Sequence, residues 1–101
     1  MDELLAWLKP QHNGLRTYKA FHEKVLQSAT ADRSHLALYQ LLATLVGRFI
    51  EAYEEQPLPV AVADQAFNRL IAVVEKAATS IKGSPADQLK ALNDIAAAEL
   101  A

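Results

Sequence analysis

The segment HLALYQLLATLVGRFI, residues 35–50, constrains the fold more than any other, because eleven of its sixteen residues are apolar. When residues 31–55 are wound as a helix at about 100° per residue, the apolar side chains cover an arc of about 200°. An arc of this width is more than one neighbouring helix can cover. The segment is therefore predicted to be the central helix of a bundle, in contact with two or more other helices.

The same segment is not predicted to span a membrane. Its longest unbroken apolar run is residues 36–39, whereas a membrane-spanning helix needs roughly 17–25 residues. Arg48 also opposes insertion, by about 2.5–3.5 kcal/mol for an arginine near the centre of a span. The opening sequence MDELLAWLKP is acidic and only briefly apolar, unlike a signal peptide. We therefore expect a cytoplasmic protein.

The rest of the chain also has helical periodicity and no strand-like alternation. A short helix is predicted at the N-terminus, and a second one follows Asn13, whose side chain can cap it. The third is the central helix over 31–55, which ends before Pro57. The inward face of the second helix is predicted to be Leu15, Tyr18, Phe21, His22, Val25, Leu26 and Ala29.

Two more helices follow, joined by a short turn. The fourth is predicted from about 61 to 82, with Gly83 as a left-handed cap. The fifth begins at Ser84, where Asp87 faces the positive end of the helix. Their inward faces are predicted to be Phe67, Leu70, Ile71, Val74, Ala77, Ala78 and Ile81, and Leu89, Leu92, Ile95, Ala96 and Leu100. The fold class is thus all-α, an antiparallel four-helix bundle with a short extra N-terminal helix, in one domain over 1–101.

Composition narrows the range of functions. The formal net charge of −2 argues against a nucleic-acid partner, which normally requires a basic face. The chain has no cysteine, so disulfides and thiolate metal sites are excluded. No glycine-rich phosphate loop or strained nucleophile turn is present. We therefore expect no catalytic residue, no cofactor and no metal, and a chain that is not an enzyme.

Some residues have both a functional and a structural interpretation. His22 and His35 fall on the apolar faces of consecutive helices. They form either a pH switch or half a metal site, or they are two neutral histidines in or beside the core. The glutamates of segment 51–55 form either a site for a basic partner or cation, or a solvated face. Trp7 either fastens the N-terminal helix to the bundle or anchors a partner. For the histidines, the glutamates and Trp7 alike, we predict the structural role rather than the functional one.

Residues 66–98, AFNRLIAVVEKAATSIKGSPADQLKALNDIAAA, resemble the second half of immunity proteins that protect producers of pediocin-like bacteriocins. The resemblance lies in the Asn68-Arg69-Leu70 start of a hydrophobic helix, a short turn, and an amphipathic last helix. Leu89, Leu92 and Ile95 provide the apolar positions of that last helix. Chain length and the antiparallel four-helix architecture also agree with that family.

The resemblance implies a cytosolic, non-enzymatic immunity factor. Such a factor binds the mannose phosphotransferase permease, a membrane sugar-transporter complex, once a bacteriocin has engaged it, and blocks the lethal pore. The surface of the last two helices is then the expected protein-binding site. Its exposed cations, which no family motif assigns, are Arg69, Lys76, Lys82 and Lys90.

The alternative function is a small helical interaction or regulatory module. In this interpretation part of the wide apolar arc of helix 31–55 remains uncovered and forms a homodimer interface. A monomer whose arc is buried in its own core is the prediction, and the homodimer is the alternative.

Overall fold

The computed structural model describes all 101 residues and is entirely helical, which confirms the all-α class and the helical bundle. The bundle measures 40 × 23 × 22 Å along its principal axes. Its elements follow in the order α1 (Asp2–Leu8), α2 (Leu15–Ala31), a 3-10 turn (Arg33–His35), α3 (Leu36–Tyr53), α4 (Val60–Ile81) and α5 (Pro85–Ala97).

Each helix packs mainly against two others. The five helices therefore form a closed ring in the order α1, α2, α3, α5, α4, with α4 next to α1. Contacts between helix ends show how they run. Lys19 near the start of α2 pairs with Glu54 just after α3, so α2 and α3 are antiparallel. Asp2 at the start of α1 pairs with Lys82 just after α4, so these two helices are also antiparallel.

α3 and α5 run side by side in the same direction. Arg48 near the end of α3 donates a hydrogen bond to the carbonyl of Ala98, just after α5. Leu38 near the start of α3 borders a small cavity together with Gln88 in the first half of α5. Because five is an odd number, the helices of a closed ring of five cannot all be antiparallel to both of their neighbours. At least one pair of neighbours has to be parallel, and here that pair is α3 and α5.

α3 forms the centre of the core, as its wide apolar arc predicts. Its buried residues are Leu38, Tyr39, Leu42, Ala43, Leu45, Val46 and Phe49. The large apolar side chains that remain exposed belong to other helices: Leu26, Val60 and Leu89. Most of the arc is therefore covered by the protein's own helices. Leu41, Ile50 and Tyr53 are half-buried, and α3 has no large apolar side chain that is fully exposed.

The central helix is shorter than the predicted 31–55, since it covers Leu36–Tyr53. Asp32 leaves the helical conformation with φ −126° and ψ 80°. Its carboxylate accepts a hydrogen bond of 2.6 Å from the Ser34 hydroxyl and lies 2.8 Å from Nδ1 of His35. Such local side-chain bonds compete with helix formation, and here they end α2 and form a corner before α3.

Two predicted caps are wrong. Gly14, not Asn13, is the N-cap of α2, and the Asn13 amide instead donates to the Asp64 carboxylate over 2.6 Å. Gly83 is not left-handed, because no residue has a positive φ. A Cβ atom at Gly83 would lie 2.7 Å from Oδ2 of Asp87. A side chain at this position would therefore displace the capping carboxylate.

The inward faces are confirmed for α4 and need correction on α2 and α5. Leu26 is exposed on α2, and both Leu89 and Ala96 are exposed on α5. The buried face of α5 is centred on Ala91 and Ile95. The predicted apolar stripe shares Ile95 with this face but also includes exposed positions, because the alanine-rich helix has small apolar residues on several sides.

Candidate functional site

Three of the four predicted partner-binding cations lie together. Lys76, Lys82 and Lys90 border a groove of about 670 Å³ between α4 and α5, which we call the α4–α5 groove. It is lined by Glu75, Lys76, Thr79, Ser80, Lys82, Gly83, Asp87, Lys90, Ala91 and Asp94. Nearly all of these side chains are polar, so the groove suits recognition by charge and hydrogen bonds.

Ion pairs hold the lysines of the α4–α5 groove in place. Asp94 on α5 lies between Lys90, at 2.9 Å, and Lys76 on α4, at 3.4 Å. The hydrogen bond from Lys90 is the main reason that the pKa of Asp94 is lowered, and Lys76 acts in the same direction. Lys82 pairs with Asp2 over 2.9 Å and likewise lowers the pKa of that carboxyl. The groove therefore presents alternating charges.

Arg69 lies outside the groove and has a structural contact. Its Nη1 donates a 3.3 Å hydrogen bond to the carbonyl of Leu100, whose side chain is buried. Arg48 on α3 donates in the same way to the carbonyl of Ala98. The two arginines hold the residues after α5 against α3 and α4. Sequence reasoning missed this pair, since nothing local relates either arginine to the end of the chain.

The start of α5 is fixed as predicted. The Ser84 hydroxyl accepts from the backbone N–H of Asp87, and the Asp87 carboxylate accepts from the N–H of Ser84. Pro85 occupies the first turn. This capping box satisfies two backbone donors and positions the carboxylate of Asp87 at one end of the α4–α5 groove.

The two inward histidines lie apart from each other. His22 packs against Gly47, about twelve residues beyond His35 along α3, which corresponds to about 18 Å of helix. His35 instead contacts Asp32 at the corner between α2 and α3. No three histidine, cysteine or carboxylate side chains lie close enough together to hold a metal ion.

Ser34, His35 and Asp32 are close neighbours but do not have the geometry of a hydrolytic triad. Ser34 and Asp32 both contact Nδ1 of His35, at 3.2 and 2.8 Å. In a triad the serine and the carboxylate use different ring nitrogens, so that the imidazole can pass a proton between them. The pKa of Asp32 is lowered, mainly by its hydrogen bond from Ser34 and next by that from His35. The cluster closes the corner between two helices.

Another cavity, which the sequence did not reveal, lies where α3 ends. We call this open depression of about 280 Å³ the α3-end pocket, and it is lined by Leu45, Arg48, Phe49, Ala52, Tyr53, Glu99, Leu100 and Ala101. The glutamates Glu51, Glu54 and Glu55 line a shallow depression that adjoins it at Ala52. Of these three, Glu54 pairs with Lys19 on α2.

Trp7 fastens α1 to the bundle, as the structural interpretation predicted. Its ring is half-buried and packs on the core beside the buried Leu4 and Leu8. The ammonium group of Lys24 on α2 lies 5.1 Å from the ring centre, within the range of a cation–π contact.

None of the five helices combines the length and the apolar character that crossing a membrane requires. In comparisons with known proteins, no family model, no curated protein and no solved structure matches the chain significantly.

Proposed function

We propose that this protein is a non-enzymatic bacteriocin immunity factor of the pediocin-like type, which acts in the cytoplasm by binding the mannose phosphotransferase permease that a bacteriocin has engaged. The observation that carries the proposal is the α4–α5 groove. The helical hairpin beside it corresponds to residues 66–98, the segment that resembles that family, and Lys76, Lys82 and Lys90 lie along it.

The groove can exchange its internal ion pairs for contacts with a partner. The side chains of Lys76, Lys82 and Lys90 are 55%, 67% and 75% exposed. Exposed ion pairs of this kind stabilise a fold only weakly, so carboxylates of a partner can replace Asp94 with little loss of stability. Alternating charges also select a complementary surface and speed association. Arg69 stands apart, because it already holds the carbonyl of Leu100.

The test is protection of cells that carry the permease and are killed by a pediocin-like bacteriocin. We expect the chain to protect them and to co-purify with the permease only when bacteriocin is present. The charge-reversing pair Lys76→Glu and Lys90→Glu should abolish both effects. The matched control is Arg16→Glu with Arg33→Glu, which produces the same net charge on exposed residues outside the groove.

Circular dichroism of each variant verifies that it remains folded. Lack of protection by the unmodified chain would contradict the immunity proposal. Equal loss of protection in the control pair would contradict the role of the groove.

The alternative is a homodimeric interaction module, which would use a surface other than the buried part of the α3 arc. Leu45 is only 2% exposed, whereas Leu89 on α5 is 60% exposed and is open to contact with a second copy. Light scattering coupled to size exclusion at two protein concentrations decides between the two. A dimer that Leu89→Glu dissociates supports the module, and a monomer at both concentrations contradicts the homodimer.

A further inference from the structure

We propose that the α3-end pocket binds a basic amphipathic segment of a partner protein, which inserts one apolar side chain into the pocket and places its cations against the surrounding glutamates. This inference does not rest on the immunity function. The α3-end pocket lies beside the residues that follow α5. The α4–α5 groove instead extends toward the turn that joins α4 to α5.

The size of the pocket fits one apolar side chain. An apolar cavity of about 150 Å³ accepts a benzene molecule, and sites for drug-sized ligands begin at roughly 300 Å³. The α3-end pocket, at about 280 Å³, lies between these limits and most of its lining residues are apolar. The ring of Phe49 lies 5.0 Å from that of Tyr53 and 4.5 Å from that of Tyr18, which is fully buried. Aromatic rings in contact therefore give the pocket a firm floor.

The charges around the pocket favour a cation. Glu99 lines the pocket, and Glu51 and Glu55 flank Ala52 on its border. None of these three glutamates belongs to an ion pair, and Arg48 is the one cation among the lining residues. Three carboxylates against one guanidinium leave a local charge of −2. The carboxyl end of α3 adds negative partial charge at the same place.

A peptide segment fits the apolar pocket and its acidic border better than a small ion does. No group of three potential metal ligands exists in the chain, so the glutamates do not form a cation cage. Arg48 already donates to the carbonyl of Ala98, which leaves it less free to hold an anion. An amphipathic segment supplies apolar and basic side chains at helical spacing and can satisfy the pocket and its border together.

The experiment uses the whole ¹⁵N-labelled chain and two synthetic peptides of about 14 residues, one of leucine and lysine and one with glutamate in place of each lysine. We expect the lysine peptide to shift the amide signals of Phe49, Ala52 and Leu100, with an affinity that weakens as salt is added. The glutamate peptide should leave these signals unchanged.

Two variants test the pocket and its charges separately. Ala52→Trp fills the pocket with an aromatic ring, and Glu51→Lys with Glu55→Lys reverses the border charge. Each should weaken binding of the lysine peptide about tenfold or more, equal to about 1.4 kcal/mol. The matched control is Glu3→Lys with Glu23→Lys, which gives the same net charge at exposed residues outside both the pocket and the groove and should change the affinity less than about twofold.

Several results would overturn the proposal. These are equal binding of the glutamate peptide, an equal effect of the control pair, or no shift at the pocket. Shifts confined to Lys76 and Lys90 would also overturn it, while leaving the immunity proposal intact. Because the charge-reversal pair lies on exposed residues, it remains a valid test even if Ala52→Trp does not fold.

Discussion

The two long hairpins of this protein are held together by different means. α2 and α3 meet along buried apolar and aromatic side chains, with the ring of Tyr18 in tilted contact with that of Phe49. α4 and α5 share a smaller apolar contact and are bridged at the surface by Lys76 and Asp94. The first hairpin therefore has the more extensive apolar contact between its two helices. The second offers charged groups that can change partners while the fold is kept.

The largest expected effect comes from the core of the first hairpin. Leu42 is fully buried on α3, and Leu42→Ala should lower the free energy of unfolding by about 2–5 kcal/mol because it leaves a cavity. The matched control Leu89→Ala, on the exposed face of α5, should stay within about 0.5 kcal/mol. Urea denaturation measures both. Similar losses for the two variants would contradict the central place of Leu42 in the core between α2 and α3.

A smaller effect is expected at the start of α5. Ser84→Ala removes the hydroxyl that accepts from the N–H of Asp87, and it should lower the free energy of unfolding by about 1 kcal/mol. Urea denaturation again gives the value, and Ser84→Asp should retain most of the stability because aspartate also caps. An alanine variant as stable as the original chain would show that the cap is dispensable.

A stabilising change is expected on the first hairpin at Gly47. A methyl group there would meet the nearest atom, Nε2 of His22, at 3.7 Å, which is an ordinary contact. Gly47→Ala should therefore raise the free energy of unfolding by about 0.5–1 kcal/mol, since alanine is the better helix former. The comparison is Gly83→Ala, which should be destabilising because its Cβ would clash with Asp87. A thermal melt distinguishes the two signs.

The smallest expected effect is the acid dependence contributed by the second hairpin. The pKa of Asp94 is lowered from its ordinary value of 3.8 by Lys90 and Lys76. Its stabilising contribution is therefore present above pH 3.8 and is lost as the pH falls through the lower folded-state pKa. Asp94→Asn should flatten this part of a plot of melting temperature against pH. An unchanged acid limb would show that the ion pairs do not contribute.

The fold could be predicted from sequence wherever a pattern was local. The arc of α3, the capping box at Ser84 and the apolar face of α4 are all set by neighbours within a few turns of the chain. Helix ends were less predictable. At Asp32 the competition between helical and local side-chain hydrogen bonds decides the outcome, and side-chain positions are needed to resolve it.

The candidate surfaces could be predicted only in part. Lys76, Lys82 and Lys90 were identified as exposed, and the structure places them along one groove. Arg69 is also predicted to be an exposed cation of this surface. In the structure it contacts the carbonyl of Leu100 instead, thirty-one residues away. The α3-end pocket could not be predicted, because it forms between the end of α3 and the residues after α5, which are distant in sequence.

The closed ring has a consequence for how the chain folds. Each long hairpin joins helices that are adjacent in sequence, so it can form early, but the contacts of α1 with α4 and of α3 with α5 link distant residues. With only seven residues, α1 is too short to be stably helical alone and acquires its structure by docking. We therefore expect the first helix of the chain to be among the last to form.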